Sequence, residues 1–394
     1  MIRGLSHSTS DRSAVLIFHS VFSMPAFGRN HPLSIMRHGG FLDLCREMDL
    51  LHARNIRIAP IADRNTLERF HDADYLDAFE RSVQARSVDA ADRARYNLGT
   101  MECPLFEGLW ERARAAVGGS ILAAELALQG YLPFHPGGGT HHGKPDRASG
   151  FCYLNDPVFA ILRLLDSGKE RVLYVDLDAH HGDGVEFAFA ANEKVHLLSF
   201  HEEGRWPGTG QLGEARSSRI INVPVPREIN DDEYLFIFRE IYQRRLIGLE
   251  PDAVVITVGA DALIGDPLSS MKVSNSALTK VVQECVSLSR CALVLGGGGY
   301  NPWTTARMWT YLWSRLNGIG IPRPLPPQAG AVLSSLSCDL CDEDEFDPQW
   351  LLAIEDYENR GSIRPECRAR VEAAIGEGSF AYDDIAGIVL SQTR

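Results

Sequence analysis

Six short apolar runs limit how this chain of 394 residues can fold. They are Ala14–Phe18, Val172–Val175, Val195–Ser199, Ile220–Val225, Ala253–Val258 and Cys291–Leu295. The runs are apolar rather than alternating with polar residues, which is typical of strands buried on both faces of a parallel sheet. The sequence therefore predicts a central sheet that is covered on both sides.

Longer segments with helical periodicity lie between these runs. They are Leu105–Leu128, Pro157–Leu165, Asp231–Leu246, Asn275–Leu288 and Thr304–Leu316. Strands that alternate with helices predict right-handed crossovers and helices on both faces of one sheet. We therefore expect a three-layer α/β/α fold with a mainly parallel sheet, whose ligand site lies at the carboxyl ends of the strands.

The chain shows no internal repeat and no long low-complexity linker, so we expect residues 1–322 to form one domain. The Pro-rich segment Ile321–Gly330 is predicted to leave the sheet. An acidic stretch, Asp339–Asp347, and a helix-like segment, Pro365–Ile375, follow it. We expect residues 323–394 to pack on the first domain as a C-terminal extension.

The overall charge argues against two classes of partner. Acidic residues outnumber basic ones by 52 to 39, and the net charge is −13. The chain thus lacks the basic footprint that nucleic acid or an anionic membrane would require. The first residues do not look like a signal peptide, and no run approaches the roughly 20 apolar residues of a spanning helix. These features predict a cytoplasmic protein.

The first polar cluster, DLDAHHGDG, follows the strand-like run that begins at Val172. Residues two apart on an extended chain project to the same side, so Asp176, Asp178 and His180 are able to converge. Carboxylates and an imidazole placed in this way are good ligands for a divalent metal. The alternative is that these side chains only cap the next helix.

The second cluster is the glycine-rich segment GGGTHHG, which contains His141 and His142. A phosphate-binding loop is the less favoured interpretation, because no GK[ST] follows and the histidines would stay unexplained. The pair could transfer protons if each imidazole had a carboxylate behind it. Asp176 and Asp183 are candidates, since such a partner fixes the tautomer and raises the basicity of a histidine.

Two further polar residues follow apolar runs. Asp261 comes after Gly259-Ala260, and Tyr300 comes after four glycines. Asp261 is either a helix cap or a metal ligand. The glycines imply unusual backbone angles or a close approach, and a tyrosine on such a loop either packs in the loop or points its hydroxyl into a cleft.

Together these motifs resemble the histone deacetylase family, which has the arginase–deacetylase fold. The resemblance runs from about His31 to about Trp313 and preserves the family's motif order. The motifs are HPLSIMR, ECP, GGGTHHG, SGFCYLND, YVDLDAHHGDGVE, SFH with a later PGTG, GADALIGDP and GGGGYNPW. The GGGGYNPW form and the chain length look like the bacterial branch called acetoin-utilisation proteins.

The resemblance implies a catalytic centre. The positions that match the family's zinc ligands are Asp178, His180 and Asp261. Those that match its two proton-transfer histidines are His141 and His142, with Asp176 and Asp183 behind them. Tyr300 matches the tyrosine that hydrogen-bonds the scissile carbonyl.

The resemblance also implies a substrate tunnel. Gly150 and Phe151 match one wall, Trp206 stands where many relatives have phenylalanine, and Leu268 matches another lining position. Glu102 falls where relatives carry an aspartate that grips the substrate backbone. Matches to two further sites are Arg37, beside a product-release channel, and a structural potassium site formed by Asp176, Asp178, His180 and Ser199.

The implied activity is hydrolysis of acetyl-lysine or a related acyl-lysine in proteins or peptides by a metal-activated water. The ligand set suits Zn²⁺ but also Fe²⁺ or Co²⁺. An acetylpolyamine amidohydrolase would use the same residues, although some such enzymes place Glu where this chain has Leu268. An inactive acyl-lysine-binding scaffold would be expected to have lost one of these residues. Arginase-type chemistry would need a second manganese ion and further carboxylates.

Overall fold

Eight parallel strands form one sheet in the computed structural model, which describes residues 12–28, 31–213, 218–339 and 346–375. The strands are β1 (Ala14–Phe18), β2 (Ile56–Ile58), β3 (Leu132–His135), β4 (Val172–Asp176), β5 (Val195–Glu202), β6 (Ile220–Val225), β7 (Ala253–Thr257) and β8 (Ala292–Leu295). All six predicted strands are present. The sequence did not reveal β2, a three-residue edge strand, or β3, which contains a proline.

The strand order is β2-β1-β3-β8-β7-β4-β5-β6, and every neighbouring pair is parallel. Strands β3, β8, β7 and β4 are therefore consecutive neighbours. In register, Asp176 at the end of β4 lies opposite Ser199 of β5 and Thr257 of β7. The loops that follow these strands leave from the same edge of the sheet.

Helices connect the strands and cover both faces. They are α1 (Arg37–Glu47), α2 (Arg64–Leu67), α3 (Ala73–Ala85), α4 (Ala90–Tyr96), α5 (Leu109–Leu128), α6 (Asp156–Asp166), α7 (Asp183–Phe189), α8 (Asp231–Ile241), α9 (Asn275–Ser287), α10 (Pro302–Leu316), α11 (Pro327–Ser335) and α12 (Pro365–Ile375). The five predicted helices are present, with α5 beginning four residues late and α8 continuing as a π-helical turn, Tyr242–Leu246.

Two hydrophobic cores lie on opposite faces of the sheet. One joins the sheet to helices that include α1, α8, α9 and α10, through side chains such as Phe41 and Trp309. The other joins it to α5, α6 and α7, through side chains such as Ala123, Val158 and Val185. The predicted three-layer α/β/α fold is thereby confirmed.

The part of the chain after the sheet packs against these layers. Cys367 and Val371 of α12 join the first core, and Arg364 forms a 2.6 Å ion pair with Glu233 of α8. The acidic stretch predicted at 339–347 lies largely outside the described residues. A boundary between a domain at 1–322 and an extension at 323–394 stays a prediction. Among the described helices, none has both the length and the apolar character needed to cross a membrane.

Candidate active site

Asp178, His180 and Asp261 meet at the carboxyl edge of the sheet, although 81 residues separate the last two along the chain. Asp178 and His180 follow β4, and Asp261 lies on a 3₁₀ turn after β7. One ligand atom from each lies within 4.8 Å of the others, and all three residues are buried. The Nδ1 atom of His180 is 2.9 Å from Asp261 Oδ2 and 3.1 Å from Asp178 Oδ1.

The backbone of the four-glycine loop closes around this triad. The Gly298 N–H donates to Asp178 Oδ2 at 2.6 Å. A Cβ atom at Gly298 would overlap the carboxylate of Asp261, so a larger residue would push the loop off the site. Two carboxylates and an imidazole, buried and held close together, are a suitable donor set for a divalent cation. The residues present therefore fit a metal ion.

The two histidines of the GGGTHHG loop each have a carboxylate behind them, as expected. His141 Nδ1 donates to Asp176 at 2.7 Å, and His142 Nδ1 donates to Asp183 at 2.8 Å. Their rings lie 3.9 Å apart between centroids. Lys144 completes this group with a 2.6 Å ion pair to the second oxygen of Asp183.

The environments of the two imidazoles drive their pKa values apart. Burial opposes the charge on His141, but Asp176 and Asp178 outweigh it and raise the pKa of His141 to about 9. Burial and the adjacent His141 lower the pKa of His142 to about 3. His141 therefore holds a proton more tightly than His142 does.

Asn155 and Asp156, at the start of α6, hold the histidine loop from both sides. The Asp156 carboxylate accepts from the backbone N–H groups of Gly139 (3.0 Å) and Thr140 (2.7 Å). The Asn155 amide donates to the carbonyls of His141 (3.1 Å) and Gly143 (2.9 Å). Sequence reasoning recognised the SGFCYLND motif but gave these residues no role, and only their position at a helix start could have marked them.

A cavity of about 270 Å³ reaches His180 of the triad and His142 of the histidine pair. Its lining comprises Glu102, His142, Gly150, Phe151, His180, Arg205, Trp206, Leu268 and Tyr300. The structure therefore brings together all five residues that were predicted to bind substrate. Arg205 was not predicted, since nothing in its sequence context marked it as a lining residue.

The walls of the cavity are closely fitted. A Cβ atom at Gly150, which has φ +53°, would come within 2.5 Å of both His142 and Trp206. The Trp206 ring lies 4.7 Å from the His142 ring, and the Phe151 ring lies 5.8 Å from the Tyr300 ring. Two aromatic side chains thus flank the passage toward the triad.

Glu102 and Tyr300 are each held by hydrogen bonds that involve backbone N–H groups. Glu102 accepts from the Gly150 N–H at 2.5 Å, so its carboxylate supports one wall of the cavity. The Tyr300 N–H donates to Asp266 at 2.7 Å, and the other oxygen of Asp266 accepts from Leu268 N–H at 2.9 Å. Asp266, which the sequence did not single out, therefore links the tyrosine loop to the loop that carries Leu268.

Arg37 and Ser199 lie outside this cavity. Arg37 is half-buried behind the four-glycine loop, where its Nη1 donates to the Gly297 carbonyl at 2.9 Å, and it lines a second small cavity. The Ser199 hydroxyl lies 3.0 Å from His201 Nδ1 on β5.

A family model described as a histone deacetylase domain matches residues 31–316. This chain belongs to the histone deacetylase family. The resemblance predicted from the motifs is thereby confirmed, and the match includes each predicted site residue from Arg37 to Tyr300.

Individual members of the histone deacetylase family agree with this assignment. Histone deacetylase 8 of Xenopus laevis is 38% identical over 68% of this chain and 84% of the relative. The acetoin utilization protein AcuC of Bacillus subtilis is 33% identical over 80% of this chain and 85% of the relative. The crystal structure of a histone deacetylase homologue from Aquifex aeolicus superposes with a TM-score of 0.88 at 32% identity, over 93% of this chain and all (100%) of that chain.

Proposed function

We propose that this protein is a metal-dependent deacetylase that hydrolyses the amide bond of acetyl-lysine, or of a related acyl-lysine, in proteins or peptides. One observation carries the proposal. A buried Asp-His-Asp donor set lies at the inner end of a cavity with aromatic walls, beside a neutral histidine and a tyrosine. The members of the family named above include deacetylases, which supports the same activity.

Asp178, His180 and Asp261 would hold the metal ion. When bound, such an ion polarises the substrate carbonyl and makes water a stronger nucleophile at neutral pH. Zn²⁺ suits this donor set, and Fe²⁺ or Co²⁺ suits it as well. Two carboxylates offset much of the charge of a divalent ion, so a general base nearby becomes important.

The histidine pair would supply that base. His142 is neutral at neutral pH, and Asp183 holds its Nδ1 proton, so Nε2 of His142 is available to take a proton from water. The same atom would then donate that proton to the departing amine nitrogen. His141, whose pKa is raised by Asp176, would stabilise negative charge that develops beside it.

Tyr300 would act on the carbonyl oxygen. Burial and the carboxylates of Asp261 and Asp178 raise the pKa of its phenol well above the usual value, so the hydroxyl stays protonated. A protonated phenol donates a hydrogen bond to an oxygen that becomes negative in the transition state.

The cavity lining suits an acylated lysine rather than a charged amine. Phe151, Trp206 and Leu268 offer apolar surface to a methylene stem that carries no charge once it is acylated. An acetylated polyamine would bring an ammonium group next to Arg205 in the same lining. Glu102 would also contact the substrate backbone.

Two ancillary sites belong to the same proposal. Arg37, behind the four-glycine loop, would line the route by which the carboxylate product leaves. A structural potassium ion would be held by Asp176 at the end of β4, by Asp178 and His180 just after it, and by Ser199, which pairs with Asp176 on the neighbouring strand β5.

Metal analysis combined with a substrate panel tests the function. We expect the purified protein to hold close to one equivalent of divalent metal and to hydrolyse an acetyl-lysine fluorogenic peptide faster than acetylspermidine. Propionyl and longer acyl-lysine peptides in the same panel would define the acyl preference. Asp261→Asn should lose bound metal and activity together while leaving the fold intact. A wild-type protein that binds metal and turns over none of the acyl-lysines would refute the proposal, and so would an Asp261→Asn variant with full metal and activity.

A further inference from the structure

The lining of the active-site cavity contains one arginine, Arg205, among the residues that the structure describes. Arg205 directly precedes Trp206, the most exposed aromatic residue of the cavity lining at 42%. The Arg205 side chain is itself 27% exposed, so it is partly accessible to solvent and lines the passage as well.

The guanidinium group of Arg205 is fixed in position by a buried carboxylate. Its Nε and Nη2 atoms donate to Glu202 at 3.1 and 2.7 Å, and the Glu202 side chain is only 1% exposed. Glu202 also accepts from the Ser270 N–H (2.7 Å) and hydroxyl (2.6 Å). The Nη1 atom of Arg205 is not among the atoms that donate to Glu202. Because the group is already ordered, less conformational entropy is lost when it binds a ligand.

Arg205, Arg227 and Glu202 form a cluster that carries one more positive than negative charge. Arg227, which is 72% exposed, lies 3.5 Å from the same Glu202 carboxylate, so two guanidinium groups share one carboxylate. Neighbouring Glu203 does not alter this balance, since it forms a 2.5 Å ion pair with Arg370. The local excess contrasts with the net charge of −13 for the whole chain.

Glu102, the carboxylate in the same lining, is already engaged by the protein. Its two oxygens accept from the Gly150 N–H at 2.5 Å and from the Asn97 amide at 3.0 Å. Arg205 therefore presents a fixed cation to the substrate, whereas both carboxylate oxygens of Glu102 already accept hydrogen bonds from the protein. A guanidinium group is well suited to bind a carboxylate.

We propose that Arg205 is a specificity determinant that favours acyl-lysine substrates with a carboxylate close to the acylated side chain. This inference rests on the proposed function. The carboxylate has two chemical sources, an acidic residue next to the acyl-lysine or the free carboxyl group of a C-terminal acyl-lysine. Both would place a negative charge at the lip when the lysine stem enters the cavity.

A peptide panel tests this preference in the wild-type holoenzyme. One arm compares amidated acetyl-lysine peptides with flanking Asp, Asn or Arg, and the other compares a C-terminal acetyl-lysine as the free acid and as the amide. We expect kcat/KM to be about fivefold higher for the favoured carboxylate-bearing peptide than for its neutral counterpart at low salt, as for a partly exposed ion pair. The preference should shrink as salt is added. If the carboxylate-bearing and neutral peptides had equal kcat/KM values in both arms, the inference would be overturned.

Variants then assign the preference to one residue. Arg205→Gln should bring the ratio of kcat/KM between acidic and neutral peptides close to one, whereas Arg205→Lys should retain part of the preference. Because the readout is a ratio within one variant, a general loss of activity cancels. Arg227→Gln is the comparison variant, since it removes a second partner of Glu202 that does not line the cavity, and it should lower the ratio less than Arg205→Gln does.

The outcomes separate this inference from the proposed function. If the preference for acidic peptides survives in Arg205→Gln, or if Arg227→Gln lowers it equally, the role of Arg205 is refuted while the proposed function stands. Failure to hydrolyse any acyl-lysine peptide, whatever its flanking charge, would instead refute the proposed function.

Discussion

Replacing Asp156 with asparagine tests whether this carboxylate positions the catalytic histidine loop. Asp156 is fully buried and accepts from the N–H groups of Gly139 and Thr140 and from the hydroxyls of Ser120 and Thr140. Asparagine keeps the shape of the side chain but turns one accepting oxygen into a donating NH₂ group. At least one buried N–H group of the loop then loses its partner.

The expected magnitudes follow from these contacts. Each oxygen of Asp156 accepts from one N–H group and one hydroxyl. An unsatisfied buried N–H group costs about 1–3 kcal/mol and a lost hydroxyl hydrogen bond about 1 kcal/mol, so the free energy of unfolding should fall by about 2–4 kcal/mol. A domain with about 5–15 kcal/mol of stability still folds. Since a misplacement of about 1 Å costs about 10²-fold in rate, kcat should fall by about 10- to 100-fold. Metal content should not change, because the ligands follow β4 and β7.

Asp231→Asn provides a matched control. Asp231 is also a buried aspartate at the first residue of a helix, and it accepts from the N–H groups of Ser274 (2.7 Å) and Asn359 (2.8 Å) and from the Ser274 hydroxyl. It lies away from the cavity, so its loss should reduce stability but not kcat. Urea unfolding, metal analysis and peptide turnover measure the three quantities. If Asp156→Asn matches Asp231→Asn in stability and keeps kcat within about threefold of wild type, the positioning role is wrong.

Three further predictions address single residues. Tyr300→Phe should lower kcat by about 10²–10³-fold with little change in KM or bound metal, because an oxyanion donor acts mainly in the transition state; near-normal turnover would show that the tyrosine only packs in its loop. Leu268→Glu should lower activity on acetyl-lysine peptides and raise it on acetylspermidine, because a buried ammonium needs a charged partner; an unchanged ratio of the two activities would contradict this. Burial lowers the pKa of His71 to about 4, and its Nε2 accepts from the Asn155 N–H. Between about pH 6.5 and 4 the unfolded chain therefore binds more protons than the folded chain, so the free energy of unfolding should fall as pH falls, by at most about 3 kcal/mol. Urea unfolding of His71→Gln should show a shallower pH dependence over this range, and an equal slope would refute the assignment.

Local patterns in the sequence were sufficient for most of the architecture. Buried strands such as β4 and β7 are continuous apolar runs, and their burial on both faces leaves a clear signal. The edge strand β2 is short and partly exposed, and β3 is interrupted by proline, so tertiary pairing decides both.

The chemistry-bearing residues were also predictable, because the motifs keep them in the order and spacing of the histone deacetylase family. The sequence by itself determined the fold class, the family and the residue types available for metal binding and proton transfer. It could not show that Asp178 and Asp261 meet, since that depends on β4 and β7 being neighbours in the sheet.

Only the tertiary structure decided what surrounds these residues. Asp156 and Asp266 act on backbone N–H groups of other loops, and Arg205 enters the cavity lining through its pair with Glu202. The opposite pKa shifts of His141 and His142 arise in the same way, because the two adjacent side chains are equally buried but face different charged groups. Such contacts join segments far apart along the chain. Every residue except proline has a backbone N–H group, so a hydrogen bond to that group does not restrict which side chain stands at the position, and the sequence shows no pattern there.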